Sequence, residues 1–268
     1  MIINTDSDAK MIIEKRIKEQ DVSYREMEIL KFVRKLMNTY SFVENQTYPR
    51  PSHPNPNKRK DPYFTMVAII ISLRTTLENE TKAMENFCNK YSSLNDVLKS
   101  DIDELANTIK CSGMSEKRAK IIYNISEIIR DKYNGKIENI LCDDINKTKE
   151  KLLQLPGLGQ KSTDCMLELA FDLPTIVVDI NVFRVISRLY FSEKGMSFNN
   201  NEDVLIIKKF LENNIKANYI IYQIIHTILL LHGKYICKSK PKCEECLFKG
   251  ICIFYKDKNE YEQLKLMV

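Results

Sequence analysis

Several features of secreted, membrane or repetitive proteins are missing from this chain. The N-terminus, Met-Ile-Ile-Asn-Thr-Asp, turns charged at once and has no basic segment leading into an apolar one, which argues against a secretory signal. No apolar run is long enough to span a bilayer, and the best candidate, Ile220 to Leu231, is interrupted by Gln223 and His226. No internal repeat occurs at a solenoid period, and tryptophan is absent, which decides nothing. Charge of one sign is also scarce: a net +5 is too small by itself to demand a nucleic-acid partner. The expectation is a cytosolic protein without a membrane partner. In a reducing compartment its eight cysteines read as thiols or metal ligands, not as disulfides.

What is present describes an ordinary globular chain. Its 268 residues suffice for one large or two modest domains with real cores, and 44% apolar residues with 41 basic and 36 acidic side chains exclude disorder. Apolar residues recur at helical spacing, as in Met27, Leu30, Val33, Leu36 and Met37, and again in Val204, Ile207, Phe210 and Leu211. Five of the eight prolines fall between Pro49 and Pro62, beside the basic Arg50 and Lys58-Arg59-Lys60, and this stretch reads as a linker. Beyond it the pattern predicts helices near Tyr63 to Ser72, Glu78 to Lys90, Ile102 to Ile109, Glu116 to Tyr133, Lys147 to Leu153 and Gln160 to Phe171. Short polar turns between them imply antiparallel neighbours. Thr175-Ile176-Val177-Val178 has strand propensity but no sheet to join, so it is read as a buried connection.

Two stretches carry chemistry. In Leu155-Pro156-Gly157-Leu158-Gly159-Gln160-Lys161, two glycines at a helix start permit a sharp turn and leave amide N–H groups free, an arrangement that grips phosphate without reading sequence. By itself the pattern is equally a plain helix–helix turn. Near the C-terminus, Cys237, Cys243, Cys246 and Cys252 form C-x5-C-x2-C-x5-C. Four thiolates this close suit either a structural zinc or a [4Fe–4S] cluster, and only one CxxC knuckle is present where a zinc ribbon usually has two. The basic excess sits here too: seven lysines stand between His232 and Lys258 against Glu244, Glu245 and Asp257.

Asp179 follows Lys161 by eighteen residues, within Pro174-Thr175-Ile176-Val177-Val178-Asp179-Ile180-Asn181-Val182-Phe183-Arg184-Val185. Hairpin, loop and aspartate together resemble the helix-hairpin-helix (HhH-GPD) DNA glycosylase superfamily, and Lys161 falls where its endonuclease III branch keeps a catalytic lysine. The segment Leu230 to Cys237 and the Lys-Pro-Lys before Cys243 look like that branch's iron–sulfur segment, although the first cysteine interval is one residue shorter than the usual C-x6-C. The resemblance spans about Pro62 to Tyr255.

The resemblance implies an all-α, two-domain fold: residues 1–61 as an N-terminal helical arm and linker packing with the C-terminal domain, 62–170 as a six-helix barrel with the hairpin, and 171–268 as the aspartate helix and cluster domain, with DNA in the cleft between. It implies a bifunctional glycosylase and AP lyase acting as a monomer on double-stranded DNA with a damaged base or abasic site, oxidised pyrimidines first. A neutral amine at Lys161 attacks the sugar, displaces the base and forms a Schiff base, and elimination breaks the strand. An exposed lysine is protonated and useless for this, so burial and the nearby cationic hairpin are expected to lower its pKa, with the Asp179 carboxylate stabilising positive charge on the sugar and shuttling protons. Without the family, the pair reads as a surface lysine and a helix-capping aspartate.

A [4Fe–4S] cluster falls to the four cysteines, and phosphate contacts fall to Lys238, Lys240, Lys242 and the hairpin residues Leu155, Pro156, Gly157, Leu158, Gly159 and Gln160. Cys88, Cys111, Cys142 and Cys165 are expected to be small buried hydrophobes, and His226 and His232 structural. An extruded nucleotide leaves a gap to be plugged. Ile71 to Thr76 and Cys111 to Ala119 align with the family's plugging loops and nominate Arg74 and Met114, whose bland alternatives are a surface cation and a core filler. Arg74 stands where the pyrimidine-specific bacterial enzyme has glutamine, Leu77 where it has aspartate, and Asn181 where histidine is usual. Substrate choice therefore stays open toward G·T or G·U mismatches, and toward a non-catalytic DNA-binding module.

Overall fold

In the computed structural model the described residues are 6–40, 61–192 and 195–257. The proline-rich linker with its basic Arg50, Lys58, Arg59 and Lys60 lies outside them. Every α-helix, 3-10 turn and π turn among the described residues is helical structure, and none is accompanied by a strand. The α-helices are α1 (Asp6–Ile17), α2 (Tyr24–Leu36), α3 (Pro62–Ser72), α4 (Leu77–Lys90), α5 (Leu94–Lys99), α6 (Ile102–Thr108), α7 (Ser115–Lys132), α8 (Ile145–Leu153), α9 (Gln160–Cys165), α10 (Ile180–Tyr190), α11 (Asn201–Asn214) and α12 (Tyr219–Tyr235). No described helix is long and apolar enough to cross a membrane. The chain divides into two compact units, Met1–Tyr48 with Thr175–Val268, and Pro49–Pro174.

The Pro49–Pro174 unit is built around α3. Asp61 caps its N-terminus through the amides of Tyr63 and Phe64, Pro62 sits in the first turn, and eight of its eleven side chains are buried. A helix apolar on nearly all faces belongs inside a bundle, and here α4, α7 and α9 pack around it. Phe64 meets Phe87 edge to face and Phe87 tilts against Tyr91 through this core. At about 1.5–3 kcal/mol for each fully buried large apolar side chain, this packing dominates the unit's stability. All six expected helical segments are present, with α5 added. That helix was missed because its six residues, capped by Ser93, are too short to show a period.

The other unit is organised by α12, buried along almost its whole length and packed on α10, α2 and α1. The N-terminal helices thus belong to the same core as the C-terminal ones. α1 falls in the expected N-terminal helical arm, with Ala9, Ile13 and Arg16 buried and Ile12 and Ile17 packed at the edge of the core. Arg16 is buried against Glu26, with Nε and Nη2 donating to its two carboxylate oxygens at 2.8 and 3.1 Å. Residues 175–178 are a buried connection without strand pairing, with Ile176, Val177 and Val178 all in the core.

Candidate active site and metal centre

The hairpin joins α8 to α9. Leu155 and Leu158 are buried and anchor the turn, so what they offer a ligand is backbone, whereas Gly157, Gly159, Gln160 and Lys161 are exposed and Pro156 is half-buried. Gly157 has φ +78°, which calls for glycine, and a Cβ there would meet the Ile121 side chain at 2.7 Å from Cγ2, so that side chain would have to move. Gly159 is the N-cap of α9 and supplies no side-chain cap bond, leaving the first amides without an internal acceptor. α9 runs on into a π turn over Met166–Ala170, so the expected helix to Phe171 ends one residue early and with a changed hydrogen-bond register. Lys161 lies in the first turn. It is exposed, not buried as expected, because α9 turns Ser162, Thr163, Asp164 and Cys165 inward instead.

Arg74 and Met114 project from two further turns of this unit. Both are exposed and both are non-glycine residues in the left-handed region, at φ 55° and 48°. Met114 is 55% exposed and forms the entry to α7, which removes the core-filler reading. Of the scattered cysteines only Cys165 is buried; Cys88, Cys111 and Cys142 are half-buried, because each sits at a helix edge or turn.

In the other unit Asp179 caps α10. Its Oδ1 accepts from the amides of Asn181 and Val182 at 2.9 and 2.8 Å, and its Oδ2 accepts from Asn181 Nδ2 at 3.1 Å. Asp179 as a whole is 7% exposed. The loop before it is held at three points. Glu212 accepts from Thr175 Oγ1 and the Ile176 amide at 2.9 and 3.3 Å, Lys208 Nζ donates to Ile176 O at 3.0 Å, and His226 Nδ1 lies 2.6 Å from Val177 O. Asn181 Oδ1 in turn accepts from Arg184 Nη2 at 2.8 Å, and the same guanidinium donates to Gly233 O and Cys237 O at 2.9 and 2.7 Å. Sequence reasoning passed over Lys208, Glu212 and Arg184. The signal available was Arg184 and Arg188 four apart, on the α10 face that meets the cysteine segment.

Cys237, Cys243, Cys246 and Cys252 line one pocket open to solvent, with Arg188, Pro241, Phe254 and Tyr255 among its walls. Among the described residues no three histidine, cysteine, aspartate or glutamate side chains converge closely enough to hold a single ion. Arg188 Nη1 donates to Lys238 O at 2.5 Å and lies 3.8 Å from Cys237 Sγ, while the guanidinium rests 4.7 Å above the Phe254 ring. Burial pushes the Cys237 thiol up to about 11 and raises Cys246 and Cys252 as well, with Arg188 opposing it at Cys237. His232, buried on α12, is lowered to about 4 by desolvation, and its two nitrogens approach Tyr40 OH and Cys246 Sγ at 3.3 and 3.7 Å. Lys238, Lys240 and Lys242 are all exposed on the segment between the first two cysteines.

A family model of HhH-GPD superfamily base excision DNA repair proteins matches residues 67–204. Endonuclease III of Thermotoga maritima is 31% identical over 210 residues, which cover 78% of this chain and 91% of that one. A solved thermostable thymine-DNA glycosylase is 25% identical with a TM-score of 0.66, over 86% of this chain and 97% of that one. A trapped covalent intermediate of endonuclease III with DNA has the same TM-score of 0.66 at 24% identity, over 87% of this chain and 98% of that one, which establishes the shared fold. With the family model matching residues 67–204 and a relative 31% identical over 91% of its own length, the chain belongs to the endonuclease III family of the HhH-GPD superfamily of base excision DNA repair proteins.

Proposed function

We propose that the protein is a bifunctional DNA N-glycosylase and AP lyase that removes oxidised pyrimidines from double-stranded DNA, with Lys161 as nucleophile and Asp179 as its carboxylate partner. The observation that carries this reading is Lys161 itself: an exposed amine in the first turn of a helix whose leading amides have no side-chain cap. Such a helix end binds a phosphate, and a DNA backbone seated there brings a sugar toward the amine. Exposure in the free chain means that the water exclusion needed by an amine nucleophile comes with the bound duplex.

In the proposed sequence the neutral amine bonds to C1′ of an extruded nucleotide as the glycosidic C–N bond breaks, and the base leaves with a proton. The sugar ring opens to a protonated Schiff base. Loss of a C2′ proton then expels the 3′ phosphate, and water releases the lysine. The Asp179 carboxylate, fixed by three N–H donors, stabilises positive charge on the sugar without having to reorganise. Gln160 and the amides at Gly157 and Gly159 bear on one phosphate stretch, and Lys238, Lys240 and Lys242 on another.

Cys237, Cys243, Cys246 and Cys252 would hold a [4Fe–4S] cluster. A zinc would draw four sulfurs to about 2.3 Å from one point. A cavity ringed by four cysteines, with Arg188 beside one sulfur to offset thiolate charge, suits a larger anionic group. When bound, that group supplies Fe–S bonds that close the Cys237–Cys252 segment. Iron and acid-labile sulfide in a 1:1 ratio support it, and bound zinc refutes it.

The reaction is tested by borohydride capture on duplexes that each carry one lesion, including oxidised pyrimidines, G·T, G·U and an abasic site. Capture and incision on oxidised pyrimidines, lost in Lys161→Ala, support the reading. Base release from G·T without capture favours a monofunctional mismatch enzyme, and binding without chemistry on any duplex favours a DNA-binding module.

A further inference from the structure

Arg74 and Met114 stand on separate loops, yet a single side chain holds both. Arg118, in the first turn of α7, is only 4% exposed. Its Nη1 donates to Ser112 O at 2.6 Å and its Nη2 donates to Leu73 O. Leu73 directly precedes Arg74, and Ser112 lies two residues ahead of Met114. Left-handed backbone at a residue with a side chain persists only where the surroundings over-determine it. At Arg74 and at Met114 that condition is met through the same guanidinium. Ser112 is fixed further by its hydroxyl, which donates to Ile109 O at 2.7 Å.

The cation is desolvated here: burial lowers the Arg118 pKa and the nearby Glu80 carboxylate offsets part of that. A buried guanidinium is tolerated only when it is hydrogen-bonded, and both terminal nitrogens of this one donate to loop carbonyls. The arginine fork is what permits two acceptors at once, because its terminal nitrogens are held apart in one rigid plane. A lysine ammonium is a single point donor on a flexible stem and does not hold the same two carbonyls at fixed separation.

We propose that Arg118 is a positioning residue that couples the two loops, so that Arg74 and Met114 enter a duplex together around the space left by an extruded nucleotide. The inference rests on the reading of Arg74 and Met114 as the residues that fill that space. Two loops hung on one cation keep a fixed spacing, and disturbing either one disturbs the other.

The test is a double-mutant cycle. Arg74→Ala, Met114→Ala and the double variant are compared for binding to a duplex with a tetrahydrofuran abasic analogue, with 2-aminopurine opposite it reporting unstacking. In the otherwise unsubstituted protein each single change is expected to weaken binding and unstacking roughly tenfold, and the pair no more than the worse single. In an Arg118→Lys background the two changes are expected to multiply. Melting temperatures check that each variant folds, and Arg118→Gln serves as the second background. Should both backgrounds unfold, hydrogen exchange in the native protein decides: amides 73–75 and 112–115 gain protection in step as the duplex is titrated if coupled, and separately if not. Multiplying effects in the unsubstituted protein, or an unchanged cycle in a folded Arg118 variant, would refute the coupling while leaving the plugging reading intact. No effect from either alanine would defeat the plugging reading, and the coupling with it.

Discussion

The two units carry their functional groups in opposite ways. In the Pro49–Pro174 unit Lys161, Arg74 and Met114 are exposed, on an uncapped helix start or on left-handed turns. In the other unit Asp179 is buried, takes three N–H donors, and sits at the end of a loop pinned by Glu212, Lys208 and His226. The difference follows from the chemistry assigned to each. A nucleophile and plugging residues have to reach into a ligand, so they are left free at the surface. A carboxylate that stabilises developing charge works best when it is already oriented.

The comparison is most sharply tested at Asp179. Asparagine also caps helices well, so Asp179→Asn is expected to keep the melting temperature within a few degrees while single-turnover base release falls about 10²–10⁴-fold. An equal loss of stability and activity would mean that the residue is only a cap. Asp179→Ala removes the cap as well, and is expected to lose a further ~1 kcal/mol in denaturant titration.

The next largest effects belong to glycines. Gly157→Ala forces a side chain to φ +78° and against Ile121, with an expected loss of about 1–3 kcal/mol and weaker DNA binding. Gly159→Ala, with ordinary φ and open space, is expected to cost only a few tenths to ~1 kcal/mol. In the other unit, Gly233→Ala gains roughly 0.5–1 kcal/mol of helix propensity. It places a Cβ 2.6 Å from Asn181 Cβ and 3.0 Å from its Cα, where backbone has to move, so the contact outweighs the gain. Lower stability together with slower base release is expected, because Asn181 is a ligand of the Asp179 carboxylate.

The smallest effects are expected at Lys238, Lys240 and Lys242. Each alanine substitution should weaken binding a few-fold on damaged and undamaged duplexes alike, and lower the salt slope of log K by about one. A loss confined to damaged duplexes would mean that the lysines read the lesion and not the backbone.

Much of this was legible in the sequence, and what was not has local causes. The apolar period marks α2, α3, α4, α7 and α11 because amphipathic or fully buried helices of three or more turns repeat their pattern several times. Glycine spacing at 157 and 159 and the four cysteines marked the hairpin and the cavity, because few residue types serve there. Six-residue α5 has too few apolar positions to register. The burial expected of Lys161 came from asking chemistry of the free chain, when its α9 neighbours already fill the inward face. Arg118, Lys208 and Glu212 look like helix-surface charges in the sequence, since Arg118 and Lys208 donate to the carbonyls of Leu73 and Ile176, and Glu212 accepts from Thr175 Oγ1, all distant in sequence.

The most direct test of the central claim is peptide mapping by mass spectrometry of the protein trapped with borohydride on abasic DNA. The account predicts one reduced sugar adduct, on Lys161, and an Asp179→Asn variant whose adduct forms slowly but at the same residue. An adduct on another lysine or on the N-terminal amine, or strand incision with no adduct at all, would contradict it.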